Sequence, residues 1–169
     1  MTNIKYLIDT NVLVQAKNLY YKFHFCPGFW DWIVKLNPDG ILSIKNVYDE
    51  FLVTDDELKQ WIIKRKKSFV DFDNNALLNM KIIKQLLDKK NIPPYQQKEF
   101  LNVADSYLVA YAMAYNCVII THEKLPTNDL MIAKGKIQLP SVAKELGVTC
   151  KTIYEVMEED TEHKLILAK

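Results

Sequence analysis

A chain of 169 residues, 49% hydrophobic and 25% charged, can bury one core but is too short for two ordinary domains. Its 22 basic and 21 acidic residues cancel to a formal charge of +1, which excludes a protein held on nucleic acid by its global field and leaves only local contacts. Gly at 4, Pro at 6 and the absence of any repeat or polar tract predict a single domain over 1–169, with no linker or low-complexity tail. The first residues reach a charge too early for a secretory leader, and no run approaches the ~20 apolar residues of a membrane-spanning helix. The expectation is a cytoplasmic protein with no membrane partner. Cys26, Cys117 and Cys150 lie far apart with no paired metal-ligand spacing and read as buried thiols.

Ile4 to Ile8 is a short β-forming run that stops at Asp9-Thr10-Asn11 before a second apolar stretch, the pattern of a strand entering a helix. Helical spacing over Phe29 to Leu36 closes at Asn37-Pro38-Asp39-Gly40, and a strand over Ile41 to Ile44 follows. Val47, Phe51 and Leu52 predict a helix carrying Glu50. Thr54-Asp55-Asp56-Glu57 reads as a capping box opening a helix through Lys67, and a third helix runs from about Asp73 to Lys89. After Pro93-Pro94, one long helix is expected from Lys98 to Tyr115 with Asp105 inside it. Cys117 to Thr121 is the clearest buried strand. A loop from His122 to Lys136, a last strand over Ile137 to Leu139 and a helix ending near Leu146-Gly147 complete the reading. Strands alternating with helices predict an α/β domain with a parallel sheet covered on both faces.

In open α/β sheets ligands bind beyond the carboxyl ends of the strands. Asp9 ends the first strand and Thr121-His122-Glu123 ends the Cys117–Thr121 strand, so parallel neighbours bring Asp9 and Glu123 to one rim. Asp105 lies on the intervening helix within Val103-Ala104-Asp105-Ser106-Tyr107-Leu108, where a carboxylate is costly unless paired, hydrogen-bonded or bound to a cation. Converging carboxylates suit Mg²⁺ or Mn²⁺, which orient water and neutralise charge on a scissile phosphate. Blander readings stand beside these. Asp9 could only cap its helix, Glu50 could be a solvated acid next to Asp49, and Asp129 competes with Glu123 for the same loop. His122 reads as a surface histidine. Lys64-Arg65-Lys66-Lys67 reads as a solvated helix end, and Trp30, Trp32, Trp61, Tyr20, Tyr21 and Phe23 read mostly as core.

Ile8-Asp9-Thr10-Asn11-Val12-Leu13 resembles the first motif of PIN-domain nucleases. Tyr48-Asp49-Glu50-Phe51 resembles the second, Ala104-Asp105-Ser106-Tyr107-Leu108-Val109-Ala110 the third, and Thr121-His122-Glu123 the fourth, usually Thr-x-Asp. Ile137 to Val142 is similar to the last strand and helix of one bacterial and archaeal subgroup, with Ser141 where that subgroup carries an acid. The resemblance implies a three-layer α/β/α PIN-like fold around a mainly parallel sheet of four to five short strands. It implies catalytic Asp9, Glu50, Asp105 and Glu123, with Asp9, Asp105 and Glu123 holding Mg²⁺ or Mn²⁺. Thr10, Asn11 and Thr121 would support them, Asn11 by capping the first helix and bonding Asp9, and Thr121 by positioning a water or a carboxylate. The implied activity is hydrolysis of single-stranded RNA to a 3′-hydroxyl and a 5′-phosphate, as a toxin of the VapC-like kind with an antitoxin partner and a homodimeric state. An inactive PIN-like module that binds RNA or protein is the alternative. A haloacid-dehalogenase-type phosphatase is disfavoured, because Asn11 stands where that family has its second Asp.

Overall fold

Short apolar runs become strands and 3.6-residue patterns become helices in the computed structural model, which describes residues 5–53, 55–124, 132–133 and 135–160. In chain order they are β1 (Tyr6–Ile8), α1 (Thr10–Asn18), α2 (Pro27–Ile33), β2 (Ser43–Ile44), α3 (Lys45–Phe51), α4 (Glu57–Ile63), β3 (Phe69–Val70) and α5 (Asn74–Lys89). There follow α6 (Pro94–Leu101), α7 (Ala104–Tyr115), β4 (Val118–Ile120), β5 (Ile132–Ala133), β6 (Lys136–Ile137), α8 (Leu139–Glu145), β7 (Cys150–Lys151) and α9 (Ile153–Glu159).

The central sheet is parallel in the order β1-β4-β7, with Leu7 opposite Ile119 and Ile119 opposite Cys150. A parallel β2-β3 pair extends it, since the Ile8 N–H donates to the Leu42 carbonyl at 3.0 Å. Against an expected sheet of four to five strands, three pair regularly and two more join through this single bond. The irregular seam leaves strand peptide groups to satisfy, and one side chain does so. Asn37, only 3% exposed, accepts from the Lys5 and Tyr6 N–H groups at 2.9 Å each and donates to the carbonyls of Tyr6 at 2.7 Å and Ile41 at 3.0 Å. A buried backbone group left unpaired is costly, so an amide that mimics a peptide unit stabilises the junction.

Tyr6, Leu7, Ile8, Ile119 and Ile120 are all buried. Successive strand residues point to opposite faces, so both faces of the sheet are covered by helices. Helix α7 is apolar on every side and packs against α3, α5, α6, α8 and β4, which explains why its Leu108, Val109 and Ala110 are fully buried. Trp30 and Trp32 lie in the core and Trp61 packs at its edge, with the Arg65 guanidinium 4.1 Å above the Trp61 ring. Tyr21 and Phe23 pack against the core, whereas Tyr20 is exposed. Cys26 and Cys117 are buried and Cys150 partly so. No helix among the described residues is long and apolar enough to cross a membrane.

Several expected boundaries move. The helix expected over 98–115 is two helices, α6 and α7, broken where Asn102 bonds back to the Lys98 carbonyl at 2.8 Å and Val103 turns extended. Apolar periodicity runs through this break because both helices bury the same side of the domain. Asp56, not Thr54, caps α4, accepting from the Lys59 N–H at 3.0 Å, and Thr54 lies outside the described residues. Helix α4 stops at Ile63, and Lys66–Ser68 is a 3-10 turn. Gln138 and Leu139 are not strand: β6 pairs antiparallel with β5, away from the central sheet, and Leu139 opens α8. The last strand of that sheet is β7, and β7, β3 and α9 are additions to the expected elements. Helix α9 has a capping box in Thr152 and Glu155, a signal that was present in the sequence.

Candidate functional site

Asp9 sits where β1 ends and α1 begins, at the N-cap position, but its side chain makes no capping bond. The carboxylate instead turns to the end of the neighbouring strand. Its Oδ2 accepts from the Thr121 hydroxyl at 2.7 Å and from the Asn11 amide at 2.5 Å. Asn11 lies inside α1 and does not cap it. It donates also to the Thr121 hydroxyl at 3.2 Å, while its Oδ1 accepts from the His122 N–H at 3.0 Å. Thr121 Oγ1 in turn accepts from the Glu123 N–H at 3.1 Å. Two strand ends 112 residues apart in sequence are thereby laced together around one buried carboxylate. Asp9 is only 4% exposed.

Glu50, near the end of α3, closes the other side. One oxygen accepts from the Thr10 hydroxyl and the other from the Ala104 N–H at 3.4 Å, the first residue of α7. Because α7 begins at Ala104, Asp105 stands in its first turn and not in mid-helix. Glu123 reaches forward to accept from the Leu139 N–H at 3.0 Å, pinning the start of α8. A cleft of about 270 Å³ opens beside Asp105 and Glu123, with Lys136 and Ile137 of β6 and Phe100 of α6 among its other walls. Asp9 and Glu50 do not form part of those walls.

The electrostatics follow from burial and like charge. Burial raises the Asp105 carboxyl to about 8, with the negative charges of Asp9, Glu123 and Glu50 adding to it and Lys136 opposing. Burial raises Asp9 to about 6; the Thr121 hydroxyl pulls the other way, and Glu123 and Glu50 push it up again. Burial also raises Glu123, against the Leu139 N–H and Lys136. The four acids therefore share one electrostatic neighbourhood, and adding a cation would lower all three raised values.

The donor set is entirely oxygen, which suits a hard divalent ion such as Mg²⁺ or Mn²⁺. In chemistry the residues fit such an ion. In spacing they do not yet form a cage, because among the described residues no three acids, histidines or cysteines gather closely enough to hold a metal.

The structure thus brings Asp9, Glu50, Asp105, Glu123, Thr10, Asn11 and Thr121 to one end of the sheet. Asp129 lies outside the described residues. Ser141 is buried and no fifth acid occupies its place. His122 is partly buried with its ring 5.8 Å from that of Tyr154, burial holding its pKa down. Two participants were invisible in the sequence: the Leu139 N–H, a backbone group, and Lys136, an ordinary lysine in a chain with many.

Residues 6–163 match the family described as Domain of unknown function (DUF4411). No curated protein matches the sequence. Among solved structures, a chain from the crystal structure of VapBC2 from Rickettsia felis, bound to a DNA fragment from their promoter, superposes with a TM-score of 0.51 at 13% identity, covering 88% of this chain and 98% of that one. At such identity the likeness speaks for the fold, and with the parallel sheet and surrounding helices it gives a PIN-like α/β/α domain. Because the family match spans nearly the whole sequence, the chain belongs to the DUF4411 family, and its fold is PIN-like.

Proposed function

We propose that this protein is a Mg²⁺- or Mn²⁺-dependent endoribonuclease that hydrolyses single-stranded RNA. The observation that carries the reading is Asp9: a carboxylate 4% exposed, bonded to Thr121 and Asn11, neither of them cationic, in the electrostatic range of Glu50, Asp105 and Glu123. Nature rarely buries such a group without a counter-charge to complete it. Asp9, Asp105 and Glu123 would hold the ion, which when bound supplies a lowered water pKa and neutralises charge on the phosphate.

The chain's own residues do the rest. Thr121 and Asn11 hold the Asp9 carboxylate in one orientation, leaving Oδ1 without those two donors. Glu50 ties Thr10 to the start of α7 and so sets where Asp105 stands relative to Asp9. The Leu139 N–H steadies Glu123. Supporting bonds of this sort commonly govern metal affinity as much as the ligands do.

The role of toxin in a toxin–antitoxin pair, with an antitoxin protein as partner, draws support from the likeness to VapBC2, itself a two-component assembly on promoter DNA. A homodimer and a cytoplasmic location belong to the same reading. A second reading, an inactive PIN-like module, is favoured by one observation: the described acids are not gathered around a single point. A cleavage assay on single-stranded RNA separates them. Cleavage should need Mn²⁺ or Mg²⁺ and fall by at least about 100-fold in both Asp9→Asn and Asp105→Asn. Metal-independent cleavage or full activity in the variants refutes the mechanism, and RNA binding without cleavage supports the inactive module.

A further inference from the structure

The cleft beside Asp105 and Glu123 has a composition that the acids alone do not explain. Its walls include the apolar Phe100, Val103 and Ile137, the acid Glu99 and a single basic residue, Lys136. A bare cation site has no use for an apolar wall, and a pocket for an apolar ligand has no use for three acids. The combination suits a ligand with a flat apolar part and an anionic part that enters together with a cation.

Lys136 is the pivotal group. Its ammonium acts on both Asp105 and Glu123, lowering each. Its ion pair is with Glu99 at 3.6 Å, between side chains 73% and 53% exposed, a pairing easily exchanged for another anion. Behind it, Gln96 is only 7% exposed and donates to the Gly135 carbonyl at 3.0 Å, which fastens α6 to the residue preceding Lys136. The Gln96 Oε1 is buried with no hydrogen-bond partner among the described residues. A buried acceptor left open in a cleft wall is a place where a ligand N–H or hydroxyl would be gained.

We infer that this cleft is the subsite for the nucleotide adjoining the scissile phosphate. Lys136 is its positioning residue: the ammonium leaves Glu99 and pairs with a phosphate oxygen while the base lies against Phe100, Val103 and Ile137. The inference rests on the nuclease reading above, and adds to it where the strand runs and which residue draws it there.

Binding of a fluorescently labelled single-stranded RNA 12-mer tests it, read by anisotropy across a salt series in Ca²⁺, with a gel confirming that the RNA stays intact. Lys136→Ala should weaken binding about fivefold, the weight of one exposed ion pair, and reduce the log–log salt slope by about 0.7. Lys136→Arg should restore both. Glu99→Gln, which frees Lys136 from its competitor, should tighten binding about twofold. Lys84→Ala, on α5 and paired with Asp88, removes the same charge elsewhere and should change little. If Lys136→Ala binds like the native protein, or if Lys84→Ala weakens binding equally, the subsite is refuted while the nuclease reading stands. If the native protein neither binds RNA nor cleaves it with Mn²⁺, the nuclease reading fails and this inference falls with it.

Discussion

Replacing Asp105 by Asn should stabilise the metal-free protein at pH 8 and flatten its pH dependence. The folded carboxyl keeps its proton up to about 8, whereas in the unfolded chain it ionises near 3.8. Between those values the folded state binds more protons, so its stability falls as pH rises from about 4 to about 8 and then levels. This is the reverse of a salt-bridged aspartate. A rise from 3.8 to about 8 corresponds to about 6 kcal/mol at roughly 1.4 kcal/mol per pKa unit. Water reaches this partly buried group, and half of that, roughly 3 kcal/mol, is the expected gain at pH 8. In a chain of this size it raises Tm by roughly 6–12 °C. At pH 5 the gain should shrink to about a third or less, because pH 5 lies only about one unit above the 3.8 at which the unfolded carboxyl ionises. Thermal melts of native protein and Asp105→Asn in EDTA at pH 5 and pH 8 read both quantities. A variant that melts at or below the native temperature at pH 8, or a native Tm that climbs from pH 5 to 8 more steeply than the variant's, refutes the claim that burial holds Asp105 protonated.

Other outcomes follow from single contacts. Asn37→Ala leaves four backbone groups at the seam between β1 and β2 without their partner and should cost roughly 3 kcal/mol in a denaturant titration, with little effect on the acids. Thr121→Val removes the hydroxyl that lowers Asp9, so Asp9 ionises later and Mn²⁺ affinity by calorimetry should fall about tenfold at pH 7, partly recovering at pH 8. Glu123→Asp matches the commoner acid of the fourth motif, yet its shorter reach forfeits the Leu139 N–H. Metal-stimulated cleavage should drop about tenfold, and an unchanged rate would show that this contact does not matter. At Mn²⁺ below saturation, Mn²⁺ binding should tighten between pH 6 and 8 as the raised carboxyls of Asp9 and Asp105 lose the protons that compete with the ion, which calorimetry at the two pH values reads.

Much of the site was legible because its residues sit at element junctions that leave marks in one dimension. Asp9 and Thr121 each follow a short apolar strand, and a parallel sheet with these strands adjacent must bring their ends together. Asp105 stood out as a carboxylate among apolar neighbours. Glu50 had no such local mark and entered through the resemblance to a family, whereas Glu123 is placed at the rim by its strand end and owes only its expected role to that resemblance. The break between α6 and α7 was hidden because apolar spacing continued across it, yet that break places Asp105 in a first turn and offers the Ala104 N–H to Glu50. Strands β3 and β7, of two residues each, are too short for periodicity to register.

The sequence by itself determined an α/β fold, the parallel pairing of its two clearest strands and which acids stand at their ends, since alternation and burial are properties of neighbours along the chain. Only the tertiary structure decided that the Asp9 carboxylate turns to Thr121 and does not cap its helix, that Glu50 braces Thr10 against α7, and that Lys136 stands opposite Asp105 and Glu123. The first two depend on groups 40 to 112 residues apart in sequence, and the second also on where α7 begins. Burial depth and the distance between like charges are set in three dimensions, and those two quantities are what raise Asp105 to about 8.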